Sequence, residues 1–317
     1  MTGRPARAIM LLALAALPAG GGAAKAPPPP EGELVLDMAA PMMEVRIGDV
    51  PLRLRVALDQ KRLIELNPDA AERLRADPPD RRFHFESGFD ALVGRETLSG
   101  IQAAAPIRIN GRKMLVTVAS HGRPCCRGVD GEIGIGLLPY AKIRFVRQAS
   151  AELSLPADRI SEFTIDDNDE HGPQTSAAVG RQSVNIQFSF ERPESVATAS
   201  AGAILARAYG GRLSDGGRMV AAFGIERPIA MLHFRQPATV AGFEFRNLPV
   251  RTADFAGREQ FPTDPDEPGD IVVRKKVSQQ QAWPVVLIGR DRTDRCSEAI
   301  YDTIARRLTL RCAGMGN

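Results

Sequence analysis

The strongest constraint on this chain is an internal echo. Residues 284–312 read PVVLIGRDRTDRCSEAIYDTIARRLTLRC, and a fainter copy, GEIGIGLLPYAKIRF, stands at 131–145. In the longer stretch Val285–Ile288 are all apolar, the pattern of a strand buried on both faces. Gly289 follows, where the chain can bend or another backbone can come close. Beyond a polar insert, a second alternating segment closes on Leu308 and Leu310. The spacing predicts a strand, a short crossing turn and a hairpin. Two such endings in one chain predict two lobes, and 317 residues is more than one hydrophobic core usually supports. An apolar content of 44% is enough to bury both cores.

Residues 1–26 carry the three parts of a secretory signal: Arg4 and Arg7, an apolar run from 8 to 17, and small residues ending in Ala24-Lys25-Ala26. The run is about half the roughly 20 residues a spanning helix needs, so no stable membrane span is expected after signal removal. The expected location is secreted or periplasmic. Without Arg4, Arg7 and Lys25, the 41 basic residues fall to 38, against 38 acidic ones. A near-neutral mature chain gives no electrostatic reason to expect nucleic acid or an anionic membrane as partner.

Export makes the four cysteines candidates for disulfides. Cys296 and Cys312 flank the final hairpin, so a bridge closing it is geometrically reasonable. Cys125 and Cys126 are adjacent; a strained vicinal bridge, pairing with other chains, or a reduced state are all open. No Cys-x-x-Cys occurs, and His84, His121, His171 and His233 are far apart in sequence, so no metal site is expected. Asp166, Asp167, Asp169 and Glu170 lack the glycine and terminal glutamate of a calcium loop and read as solvated linker. No cofactor motif stands out: there is no Gly-x-Ser-x-Gly or His-Glu-x-x-His, and the glycines from 131 lack the strand-to-helix context of a phosphate loop.

Taken in order, four prolines at 27–30 mark an extended spacer. From Val45 the pattern alternates through Ile47, Leu52, Leu54, Val56 and Leu58, with Gly48-Asp49 as the turn of a hairpin. The second strand leads to Asp59, and 68–75 follows Asn67, a plausible N-cap, as a short helix. Asn110-Gly111 marks a turn between two further strands. Residues 149–182 show no sustained periodicity and are expected as a connection. Alternation resumes at Val184, Ile186, Phe188 and Phe190, and a helix over 199–209 is closed by Gly210. Residues 256–281, rich in Pro, Asp and Gln, read as an inserted surface loop.

This order resembles pepsin-like and retropepsin-like aspartic proteases. There, an apolar strand ends in Asp-Thr-Gly-Ala-Ser, a helix follows, and the lobe closes on an Ile-Leu-Gly strand, a short helix and a hairpin. Here VALDQKRLIELNPDAAERL and FSFERPESVATASAGAILARAYGG hold the two places. Asp59 matches the first catalytic aspartate and Glu191 the second. Asp59 to Gly134 spans 75 positions and Glu191 to Gly289 spans 98, a difference that the 256–281 insert accounts for. The resemblance implies an all-β fold of two similar β-barrel lobes with a few short helices, 45–148 and 183–317. They enclose a cleft with the two acids at its floor and residues 83–101 as a flap above it. Residues 27–44 would be the spacer and 149–182 the interlobe linker. Asp130 and Asp291 sit beside turns, and Asp302 belongs to the closing hairpin.

Aspartic proteolysis needs two carboxyl groups about 3 Å apart sharing one proton, because like charges that close cannot both ionise. One takes a proton from water and the other donates to the developing oxyanion. A glutamate shifts one carboxyl by a methylene, and misplacement on the order of 1 Å can cost roughly a hundredfold in rate. Gln60 and Lys61 replace the first Thr-Gly, and Arg192 and Pro193 the second. Pro193 has no N–H to donate, and Lys61 and Arg192 add charge where none is expected. The resemblance therefore implies an inactive or very weak peptidase homologue that binds peptide or protein in the old cleft. The alternative is an active aspartic endopeptidase using Asp59 and Glu191 as its acid/base pair.

Overall fold

The computed structural model describes residues 29–76, 84–93, 96–147, 159–168, 172–254, 259–260 and 283–313. The signal at 1–26 and most of the 256–281 insert lie outside the described residues. In the first half the chain forms β1 (Glu33–Asp37), β2 (Met42–Ile47), β3 (Val50–Ala57), β4 (Ile64–Leu66), helix α1 (Pro68–Arg75), β5 (Glu86–Val93), β6 (Glu96–Ile109), β7 (Arg112–Ser120), β8 (Gly131–Gly134), a 3-10 turn (Ile135–Leu137) and β9 (Lys142–Val146). The middle adds β10 (Arg159–Thr164), β11 (Asp166–Asn168), β12 (Gly172–Val179), β13 (Gln182–Phe188), β14 (Val196–Ala197), α2 (Ala199–Tyr209), β15 (Gly211–Ala222), β16 (Ile225–Val240) and β17 (Phe243–Arg251). After the two-residue strands β18 (Ala253–Asp254) and β19 (Glu259–Gln260), the chain ends with β20 (Val285–Ile288), α3 (Arg290–Thr293), β21 (Cys296–Asp302) and β22 (Arg307–Cys312). The protein is all-β with a few short helices.

Two sheets repeat one topology. The first runs β2-β3-β8-β4-β7-β6-β5, and the second runs β12-β13-β20-β14-β17-β16-β15 with β11 added at its edge. Even the strand senses match. β3 pairs parallel with β8, β8 antiparallel with β4, and β4 parallel with β7. Correspondingly, β13 pairs parallel with β20, β20 antiparallel with β14, and β14 parallel with β17. A bridge from Ile47 to Ile107 curls the first sheet back on itself.

A third sheet, β1-β9-β21-β22-β10, is built from both halves and ties them together. It changes two expectations. Residues 33–37, read as spacer, pair in parallel with β9. Within 149–182, read as connection, β10 pairs with β22 and β12 with β13. The alternation that would have marked β10 is missing because most of its residues are exposed. Polar side chains are tolerated there, and the strand is held by its backbone pairing with β22 together with the one inward ring, Phe163.

Local signals set several element ends. Asn110 and Gly111 both take positive φ, 49° and 71°, as a two-residue hairpin turn requires. In α2, the Thr198 hydroxyl accepts from the Ala201 N–H at 3.3 Å, and Gly210 ends the helix at φ 66°. Asn67 is the N-cap residue of α1, its carbonyl accepting from the Ala71 N–H at 3.0 Å, but its side chain makes no capping hydrogen bond. Its side-chain oxygen accepts from the Cys125 N–H at 2.9 Å, and its Nδ2 donates to the carbonyls of Cys126 and Val129. That side chain instead fastens the 123–130 loop. Cys125 pairs with Cys126, and Cys296 with Cys312 across the β21–β22 hairpin.

One continuous core serves all three sheets. Phe145 of β9 meets Phe190, the residue before Glu191, with ring centroids 4.9 Å apart. Phe163 of β10 meets Phe188 at 5.1 Å. Burying each such ring contributes roughly 1.5–3 kcal/mol. The joining sheet is thus packed against the strand that carries the second acid.

Candidate functional site

The two acids stand on loops that are built alike. Each follows the strand at the parallel pairing, and each loop is overlaid by the glycine ending that strand's partner. A Cβ on Gly134 would lie 1.9 Å from the Lys61 carbonyl oxygen, and one on Gly289 would lie 2.6 Å from the Glu194 carbonyl. Only glycine permits that approach. In the second loop, Asp291 accepts from the Ser195 N–H at 2.8 Å and from its hydroxyl at 2.7 Å, while the Ser195 Oγ accepts from the Gly289 N–H at 3.0 Å. In the first loop, Gln60 turns its Oε1 onto the neighbouring Lys61 N–H at 2.9 Å.

Between the loops the ion pairs cross. The Arg192 Nε stands 3.9 Å from the Asp59 Oδ2, an electrostatic contact longer than a hydrogen bond. Arg55 of β3 reaches the other way, with its Nη1 2.6 Å from the Glu191 Oε1. Its Nε donates to the Glu132 Oε1 on β8 at 3.1 Å, and its Nη2 pairs with the same oxygen. Arg55 and Glu132 are register partners on the parallel β3–β8 ladder, which places them side by side on one face. Burial pushes the Glu132 carboxyl above the usual carboxylate range; Arg55 opposes this, and the charges of Asp59 and Glu191 add to it. Arg55 thus bridges Glu132 and Glu191.

The acidic segment read as solvated linker also reaches this region. The Asp167 side chain is 6% exposed and takes Arg62, five residues past the end of β3, at 2.6 Å. A Cβ on Gly172 would sit 2.8 Å from the Gln60 carbonyl oxygen, so the first residue of β12 presses on the Asp59 loop. The other acids considered from sequence are structural. Asp130 accepts from the Arg53 N–H at 2.8 Å and pairs with Arg73 at 2.7 Å, and Asp302 accepts from the N–H groups of Ile304 and Ala305 in the closing hairpin.

Of the expected flap, β5 and β6 form an antiparallel hairpin, while residue 83 and residues 94–95 between the two strands lie outside the described residues. Its second-half counterpart, β15–β16, turns at Phe223 and Gly224, with φ of 52° and 70°. A phenylalanine at positive φ is strained. The tip nevertheless packs on His121 of the first half, ring centroids 4.9 Å apart. His121 is itself buried and bonded to Glu65. Nothing in the periodicity announced this contact.

Beside Asp59 a pocket of about 200 Å³ opens along the second sheet, lined also by Arg192, Gln187, Thr198, Met219, Arg251 and Trp283. Among the described residues, no group of three or more His, Cys, Asp or Glu is arranged to hold a metal ion, and no helix is long and apolar enough to cross a membrane.

No protein-family model and no curated protein matches the chain. Among solved structures, it is similar to one described as EIAV protease complexed with the inhibitor HBY-793. That match has 17% identity and a TM-score of 0.24, covering 30% of this chain and 81% of that one.

Proposed function

We propose that this chain is an exported protein of aspartic-protease-like architecture whose interlobe cleft binds a peptide or protein without cleaving it. Asp59 and Glu191 are the remnants of the acid pair. The observation that carries the reading is the crossed pairing, Arg192 on Asp59 and Arg55 on Glu191. A proton-sharing dyad depends on mutual repulsion of two carboxylates that is relieved by one proton. An arginine on each acid removes that repulsion by supplying the positive charge itself. Lys61, Arg192 and Pro193 replace the groups that would orient the pair, in agreement with this reading. The lobes are proposed as 45–148 and 183–317, and the location as secreted or periplasmic on the strength of the sequence at 1–26.

The test is to incubate mature protein with an unfolded polypeptide from pH 3 to 7, with and without a statine inhibitor, and in parallel to measure peptide binding. Intact polypeptide together with saturable binding is the expected result. Statine-sensitive cleavage that is lost in Asp59→Asn would establish the active endopeptidase instead.

A further inference from the structure

One face of the β15–β16–β17 sheet carries a polar line that the acid loops do not use. Arg212 on β15 lies opposite His233 on β16, and His233 lies opposite Asn247 on β17. Ser214 stands two residues on from Arg212, so strand alternation puts it on the same face, diagonal to His233. The Ser214 Oγ is 2.8 Å from the His233 Nε2, and the His233 Nδ1 is 2.7 Å from the Asn247 Oδ1. Ser214, His233 and Asn247 are all exposed, so water could serve each of them; they are instead bonded to one another in a single line.

The order of atoms in that line fixes the protons. An amide oxygen only accepts, so the His233 Nδ1 carries the hydrogen and donates to it. In the neutral ring the Nε2 then holds the lone pair and accepts from the Ser214 hydroxyl. That is the tautomer of a general base beside a nucleophile, oriented by a third group. Two neighbours of Ser214 add to it. The β15–β16 register shifts between Ser214 and Gly216, leaving residue 215 without a partner opposite, and such a bulge takes backbone groups out of the ladder. Met231, opposite Ser214, and Pro249 beyond it form a half-buried apolar row on the same face. Asn247 and Arg251 are four residues apart on β17, so the line shares its face with the pocket beside Asp59.

We infer that Ser214, His233 and Asn247 form an ester-hydrolysing site, separate from the acid pair, for carboxylic esters with a short apolar acyl group. The acyl group lies along Met231 and Pro249. The Ser214 Oγ attacks the ester carbonyl and forms an Oγ–C bond, while the His233 Nε2 takes the hydroxyl proton. The residue 215 N–H and the Arg212 guanidinium meet the oxyanion of the tetrahedral intermediate. Collapse breaks the bond to the alkoxide oxygen, which leaves as the alcohol with the proton from Nε2. Water then attacks the acyl group by the same route, releasing the carboxylic acid and restoring the Ser214 hydroxyl. The balance is ester plus water to acid plus alcohol, with no change of oxidation state. Asn247 is a positioning residue, which holds the imidazole in the tautomer that leaves Nε2 basic.

The full mature protein is mixed with p-nitrophenyl butyrate, quenched in acid and mapped by peptide mass spectrometry, while p-nitrophenolate release is followed by absorbance. A butyryl group on Ser214 and continued release are expected, both lost in Ser214→Ala. His233→Ala should slow acylation of Ser214 by at least about a hundredfold. Asn247→Leu should slow it by about tenfold or more, and Asn247→Asp, which keeps an oxygen facing Nδ1, should restore it. Thermal melts confirm that each variant is folded. Butyryl groups elsewhere but not on Ser214, or Ser214 acylated equally fast in His233→Ala, overturn the inference. Equal rates in Asn247→Leu and Asn247→Asp overturn the role of Asn247. Release that stops after one equivalent, with the butyryl group still on Ser214, overturns hydrolysis. No reaction at all overturns the site.

Discussion

Replacing Arg55 by methionine tests the polar core of the site. The methionine keeps most of the packing of the arginine stem, but Glu132 loses its cation. Both side chains are largely buried, 10% and 15% exposed, and removing one partner of such a pair costs about 3–5 kcal/mol. Glu191 is 52% exposed, so solvent screens its share and it adds little. At pH 7 the expected loss is therefore about 3 kcal/mol. The loss should depend on pH in a defined sense. Burial already holds the Glu132 carboxyl above its ordinary value, and taking away Arg55 removes the main opposing influence. A carboxyl whose folded pKa is raised favours the folded state below its unfolded value, and that advantage is lost as pH rises through the folded value. The deficit of Arg55→Met should thus shrink to about 1 kcal/mol near pH 4, where lost hydrogen bonds alone remain. Urea unfolding followed by Trp283 fluorescence at pH 4 and 7 measures both numbers. Arg55→Met with Glu132→Met should recover most of the loss at pH 7. A single-variant loss below about 0.5 kcal/mol, or one equal at the two pH values, would refute the reasoning.

Gly134→Ala should prevent folding or cost several kcal/mol by thermal melt, because its Cβ meets the Lys61 backbone; Gly217→Ala on β15, with open space around it, should stay within about 1 kcal/mol of the parent. Replacing Cys296 and Cys312 by alanine removes a link across a separation of 16 residues and should cost about 3 kcal/mol in chemical unfolding; replacing the adjacent Cys125 and Cys126 by serine, which closes almost no loop, should cost far less. Tyr301 is pushed up to about 12 by burial, with the Asp167 charge adding to it. An ultraviolet titration should show one of the three tyrosines ionising only near that pH, and stability should fall from about pH 10 upward as the unfolded chain alone releases the proton.

The elements whose signals are local were legible in the sequence. The β2–β3 hairpin, both longer helices with their ends, and the closing strand, turn and hairpin all follow from periodicity, caps and turn residues. The duplicated order around Gly134 and Gly289 was legible too, because close backbone approach demands glycine. What escaped depends on pairing over long distances. Arg53 and Arg55 occupy the same alternating face in sequence, yet only Arg55 is buried, since its register partner is Glu132 and Glu191 arrives from the other half. The strands within 159–179 were hidden for the opposite reason. Most of β10 is exposed, so it needs no apolar alternation, and the buried positions of β12 include Gly172, Pro173 and Gln174, which give no apolar signal; Asp167 looked solvated until Arg62 was placed beside it. The contacts of Arg192 with Asp59 and of Arg55 with Glu191 have no signal in motif order, because each joins residues from different halves of the chain.

The most direct test of the central claim is a crystal structure of the mature protein grown with a statine inhibitor at acid pH. The account predicts Arg192 still on Asp59 and Arg55 still on Glu191, with no inhibitor hydroxyl between the acids. A statine hydroxyl held jointly by the carboxyl groups of residues 59 and 191, with both arginines turned away, would contradict it.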